Sequence, residues 1–69
     1  MPPLLREGAD VTVVWLGTTE LGVVERIEDE GRVAVVVTEH GEVLRFVLMA
    51  SADYCTVDRS ARLRVDVNG

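Results

Sequence analysis

Gly31-Arg-Val-Ala-Val-Val-Val-Thr-Glu-His-Gly-Glu-Val-Leu-Arg-Phe-Val-Leu-Met49 is the stretch of this 69-residue sequence that decides the fold. Two runs rich in branched residues, 32–38 and 42–49, flank the short break Glu39-His40-Gly41. Such runs around a short loop that contains glycine predict a β-hairpin. Because Val33 to Val37 are apolar without interruption, this strand needs cover on both faces. We therefore expect it at the centre of a closed or an associated structure.

The rest of the chain divides into short strands between turn residues. The predicted strands are 10–16, 23–28, 32–38, 42–49 and 62–67. A loop is expected over 17–22, with positive φ at its two glycines. Small residues at 50–54 predict a helical or 3-10 turn before the last strand. Five short strands at this spacing predict an all-β small barrel, with residues 1–8 as a lead-in and 9–69 as a single domain.

Alternation along the predicted strands assigns side chains to the two faces of the sheet. We predict Val23 and Ile27 on one face of the second strand and Val24 on the other. Phe46 and Leu63 are predicted to point into the core.

Size and composition favour association of several copies. A chain of 69 residues buries a marginal core, yet this one is 48% hydrophobic and contains fourteen valines. One cysteine, Cys55, and one histidine exclude an internal disulfide and the usual structural zinc site. We therefore predict a homo-oligomer, with a protein partner as the other option and with neither a metal nor a cofactor.

The net charge of −5 is unevenly spread. Residues 1–42 hold nine acids and three arginines, a balance of −6, and residues 43–69 hold three acids and four arginines, a balance of +1. An acidic surface repels phosphate and disfavours nucleic acid as a partner. With neither a signal-peptide pattern nor a run of about 18 apolar residues, we expect a cytoplasmic protein with no membrane partner.

The candidate binding residues come from the arginines and the aromatics. The basic cluster consists of Arg45, Arg59, Arg62 and Arg64. It is either an anion site or a solvated face paired with nearby acids. Trp15 and Phe46 are interpreted as core residues. Tyr54, Arg45 and Arg59 are the residues that we predict for a ligand or partner rim, and we predict no catalytic residue.

Cys55, His40 and an aspartate, Asp53 or Asp58, are the residue types of a cysteine nucleophile site. The interpretation that we prefer places His40 at an exposed hairpin tip and makes Cys55 a small buried filler.

The order of elements from Gly8 to Val67 resembles that of the SH3-like barrels, which include the Tudor and KOW modules. The segments that carry this resemblance are the Gly-Ala-Asp-Val opening at 8–11 and Gly22-Val-Val at the start of the second strand. The alternative is the OB-fold, which usually has a longer helix between its third and fourth strands. In SH3-like domains a ligand-facing aromatic often lies where Tyr54 stands here.

Three functions follow from these patterns and resemblances. The first is a non-enzymatic interaction module that binds a protein partner or itself, through the central strand or the Val14/Leu16 face. The second is an oligomeric enzyme or small-ligand binder with a site shared between subunits. Type II dihydrofolate reductases resemble the chain in size and barrel class, but their Val-Gln-Ile-Tyr motif is missing from this sequence, which has no glutamine. The third, implied by the KOW resemblance, is nucleic-acid association.

Overall fold

Six β-strands form where branched and apolar residues alternate, in a computed structural model that describes residues 5–65. The strands are β1 (Asp10–Trp15), β2 (Thr18–Glu28), β3 (Val33–Thr38), β4 (Val43–Leu48), β5 (Tyr54–Cys55) and β6 (Ala61–Val65). Each strand pairs antiparallel with the next, and β6 pairs with β1 to close the sheet into a barrel. The predicted all-β small barrel is confirmed. Residues 66 and 67 of the predicted last strand lie outside the described residues.

The strand count and the position of the helical turn differ in detail from the prediction. The strand that the prediction lacks is β5. It has only two residues, too few to show an alternation of inward and outward side chains. The 3-10 turn is Asp29–Gly31, between β2 and β3, rather than before the last strand. In place of the helical turn expected over 50–54, the chain forms a turn in which the Met49 N–H donates to the Asp53 carbonyl. Within residues 5–65 no helix has the length and hydropathy needed to cross a membrane.

The loop predicted over residues 17–22 is wrong, because most of these residues belong to β2. β1 and β2 join through the two-residue turn Leu16-Gly17. Gly17 supplies the positive φ, 85°, that a turn of this kind requires. Gly22 lies inside the strand, where an added Cβ would come within 2.7 Å of Val36 Cγ1. A glycine is present at position 22 because the strands pack closely there.

The core is built from the inward residues of the strands and from one residue that precedes them. It contains Leu5, Val11, Val13, Val24, Ala34, Val36, Phe46, Ala61 and Leu63. The inward positions predicted for Phe46 and Leu63 are confirmed.

A β-bulge changes the alternation of β2. Its pairing with β3 passes from Val24 directly to Arg26, so that Glu25 has no partner on the neighbouring strand. As a result Val24 and Ile27 both face the core, and Val23 faces outward. The predicted grouping of Val23 with Ile27 is therefore wrong.

The central strand β3 has buried residues on both of its faces, as its unbroken apolar run predicts. Ala34 and Val36 point into the core. Val35 points outward and is nevertheless only 1% exposed. Its partners on the neighbouring strands are Arg26 and Arg45. Val35 is thus buried although it lies on the outer face of the barrel.

Candidate functional site

The three residues predicted for a binding rim lie in three different surroundings. Arg45 is on the outer face of β4, with Nη1 2.8 Å from Oε1 of Glu28. Tyr54 is half-buried against the core and donates a hydrogen bond to the Gly31 carbonyl. Arg59 is exposed in the β5–β6 turn, with φ 60°. No hydrogen bond or ion pair within residues 5–65 joins the three, and their role in binding stays a prediction.

The predicted arginine cluster is divided by the fold. Arg59 and Arg62 line a shallow cleft of about 300 Å³ together with Trp15 and Cys55. Neither of these two arginines forms an ion pair with another described residue. Arg45 instead belongs to an ion-paired group on β2 and β4, on either side of β3.

The residue types of a cysteine nucleophile site also lie apart. His40 is hydrogen-bonded to Glu20, whereas Cys55 lines the cleft beside Arg59. Asp58 accepts hydrogen bonds from the hydroxyl and the backbone N–H of Ser60, which, with a further one from a threonine hydroxyl, lower its pKa to about 2. Among residues 5–65 no three His, Cys, Asp or Glu side chains are grouped to hold a metal ion.

A polar cluster that the sequence does not reveal joins β1, β2 and the β3–β4 hairpin. Glu20 places Oε2 2.7 Å from Nδ1 of His40 and Oε1 3.4 Å from Nε1 of Trp15. The hydrogen bond that the Glu20 carboxylate accepts from the His40 ring raises the pKa of His40 above its ordinary value of 6.5, and the charge of Glu20 adds to the effect. The three residues line a cleft of about 500 Å³. Because the Glu20 carboxylate is already hydrogen-bonded to both His40 and Trp15, we interpret this cluster as a link between the β1–β2 hairpin and the β3–β4 hairpin.

An apolar row lies in register across the outer face of β2, β3 and β4. Val23 pairs with Val37, and Val37 pairs with Val43. Val23 is 43% exposed and Val43 62% exposed, with Val37 half-buried between them. Leu21, two residues before Val23 on the same face of β2, is 61% exposed. We call these four residues, Leu21, Val23, Val37 and Val43, the valine face.

Charges of opposite sign border the valine face at its two ends. At one end, Arg26 and Arg45 flank Val35 as its partners on the neighbouring strands. At the other end, Glu39 follows the last residue of β3, and its Oε2 accepts a hydrogen bond of 2.9 Å from the Leu21 N–H. The face therefore has two arginines, which are ion-paired with Glu25 and Glu28, at one end and the carboxylate of Glu39 at the other.

The two arginines at one end of the valine face share the carboxylate of Glu28, and Arg26 also lies 3.5 Å from Glu25. Glu28 accepts from Nε of Arg26 at 2.7 Å and from Nη1 of Arg45 at 2.8 Å. The hydrogen bond from Arg26 is the main reason that the pKa of Glu28 lies below its ordinary value of 4.5. Because both heads are fixed and Val35 between them is only 1% exposed, we infer that the arginine stems cover it, as long charged side chains often cover apolar surface.

Comparison with known proteins gives no relative from which a function could be transferred. No family model matches the chain, and no curated protein and no solved structure matches it at a significant level. The function therefore has to be inferred from the geometry above.

Proposed function

We propose that this chain is a non-enzymatic interaction module that associates with a second copy of itself through the valine face. The observation that carries the proposal is the row Val23, Val37 and Val43, which brings branched side chains from three strands together at the surface. Contiguous exposed apolar side chains on a small protein mark an interaction surface. The excess of valine over what a small core uses is explained if this face is covered in the assembled protein.

Closure of the barrel restricts how a partner can bind. Each strand in the described residues has a neighbour on both sides. Extension of an open strand edge is a common mode of association for sheet proteins. Among the described residues, the open edge is short: it consists of the parts of β4 and β6 that the two-residue β5 does not pair with. Contact through side chains on an outer face is the mode that we expect, and the valine face offers it.

The small size of the valine face predicts a weak association. A standard interface covers about 800 Å² per partner, which is roughly a sixth of the 4944 Å² surface of this chain. A face of four apolar residues with charged borders is smaller than a standard interface, to which each partner contributes about 20–30 residues. We expect a reversible dimer whose population depends on concentration.

The SH3-like class of the barrel and a cytoplasmic location belong to the same proposal. Small size, antiparallel order and closure of the sheet support the first of these. The shared-site enzyme and the nucleic-acid module stay predictions, since no arrangement of the described residues favours either of them over self-association.

Sedimentation equilibrium over a dilution series from millimolar to sub-micromolar concentration tests the proposal. The double variant V23T/V43T keeps the shape and the β propensity of both residues and adds a hydroxyl to each. We expect it to weaken self-association by about tenfold or more. The matched control is V57T, because Val57 is 81% exposed and lies in the β5–β6 turn, away from the valine face.

The proposal is supported if the wild-type protein and V57T associate equally and the double variant associates less. A wild-type protein that stays monomeric at the highest concentration would refute self-association. The valine face would then be assigned to a different protein partner.

A further inference from the structure

We infer that the two copies pack with antiparallel strands, so that Glu39 of each copy lies between Arg26 and Arg45 of the other. This inference rests on the proposed self-association and specifies its geometry. The two-fold axis then runs across the strands, along the row of Val23, Val37 and Val43.

The spacing of outward residues along β3 fixes this arrangement. Val35, Val37 and Glu39 are successive residues on the outer side of the strand, about 6.7 Å apart in each step. Consider a two-fold axis that passes by Val37 and runs across the strands. After this rotation, Val37 of one copy lies opposite Val37 of the other. The same rotation brings Glu39 over Val35, which Arg26 and Arg45 flank on either side.

The chemistry at that position suits a carboxylate. A guanidinium group has five N–H donors; Glu28 accepts from one nitrogen of Arg26 and one of Arg45, and Nη1 of Arg26 also lies 3.5 Å from Oε1 of Glu25. Both groups therefore retain donors for a second carboxylate. Glu39 uses one oxygen to accept from the Leu21 N–H, which leaves its other oxygen for the second copy.

The alternative two-fold axis, parallel to β3, brings like charges together. It would place Arg26 of one copy over Arg45 of the other, because β2 would then face β4. It would also place Glu39 over Glu39. Both dimers bury the same valines, and charge alone favours the antiparallel one.

Charge variants at position 39 separate these two geometries. In the antiparallel dimer, E39R puts a third guanidinium between Arg26 and Arg45, and we expect association to weaken by about tenfold or more. In the alternative dimer, E39R merely exchanges a contact between two carboxylates for a contact between two guanidinium groups. E39Q, which keeps an acceptor for the Leu21 N–H, is expected to weaken association less than E39R does.

A control removes the effect of net charge. E39R changes the charge of each copy by +2, from −5 to −3, which by itself reduces repulsion between copies. E30R makes the same change on the exposed turn at the opposite end of β3. We expect E30R to associate as well as the wild-type protein or slightly better.

A charge exchange completes the experiment. R45E alone should associate weakly, because the carboxylate that it introduces would then face Glu39 of the second copy. An equimolar mixture of E39R and R45E should form a mixed dimer, since opposite charges then meet at both ends of the interface. Sedimentation equilibrium measures each association, and circular dichroism checks that each variant is folded.

The outcomes distinguish this inference from the function on which it rests. A wild-type protein that is monomeric throughout refutes both. A wild-type dimer that E39R and E39Q leave unchanged overturns the antiparallel geometry alone, as does a folded R45E that associates more tightly than the wild-type protein.

Discussion

Gly22 provides the sharpest test of how β2 and β3 pack. In Gly22→Ala the new Cβ would lie 2.7 Å from Val36 Cγ1 and 3.2 Å from the Val37 carbonyl oxygen. Relief of such overpacking costs about 1–3 kcal/mol. Alanine recovers roughly 0.5–1 kcal/mol of chain entropy relative to glycine. We therefore expect a net loss of about 1–2 kcal/mol in the free energy of unfolding.

Urea and thermal unfolding followed by Trp15 fluorescence measure this loss, at a protein concentration where the chain is monomeric. The expected fall in Tm is roughly 5–15 °C for a domain of this size. In a Val36→Ala background the clashing methyl is gone, and Gly22→Ala should then cost less than in the wild-type protein, because only the 3.2 Å contact with the Val37 carbonyl oxygen remains. Gly22→Ala that is as stable as the wild-type protein, or that costs the same in both backgrounds, would refute the packing argument.

Two further predictions concern a strained turn and a titrating side chain. Ala52 is exposed with φ 71°, so Ala52→Gly should raise the free energy of unfolding by about 0.5–1 kcal/mol in urea denaturation, and a lower value would contradict the strain. NMR titration of the single histidine should give His40 a pKa above 6.5 that Glu20→Gln returns toward 6.5. Because the folded pKa is raised, the stability that this ion pair contributes is present below pH 6.5 and is lost as pH rises through the folded value. A Tm difference between the wild-type protein and His40→Gln that stays constant with pH would contradict this pH dependence.

The central hairpin could be predicted because its signals are local. Branched runs on either side of Glu39-His40-Gly41 predict β3 and β4, and the uninterrupted apolar run predicts cover on both faces of β3. In the structure Val35 is buried on the outer face, between its strand partners Arg26 and Arg45. Alternation also places Phe46 correctly, since no bulge interrupts β4.

The features that escaped prediction depend on contacts between distant residues. Glycine is common in turns, so the sequence suggests a turn at Gly22. Only the position of Val36 shows that a larger side chain would not fit there. Because of the bulge at Glu25, Val23 and Ile27 lie on opposite faces of β2. The alternation of residue types does not show where such a bulge occurs. The valine face needs the register of three strands, and the pairing of β2 with β3 changes if that bulge is overlooked.

The candidate cluster at the hairpins illustrates the same limit. His40 and Glu20 are twenty residues apart and meet only because the β3–β4 hairpin folds back beside β2. The interpretation of Trp15 as a core residue agrees with its packing against the core. The hydrogen bond from its indole N–H to Glu20 cannot be predicted from the sequence, because it depends on how β1 and β2 pair.

Pairing of β1 with β6 has a consequence for synthesis of the chain. Val11 pairs with Val65, a separation of 54 residues (65 − 11). Contacts this distant in sequence slow folding, because a long loop must be closed before they form. During translation β1 leaves the ribosome long before its partner does. Until β6 emerges, β1 keeps one unpaired edge, and a newly made chain is exposed to aggregation during that interval.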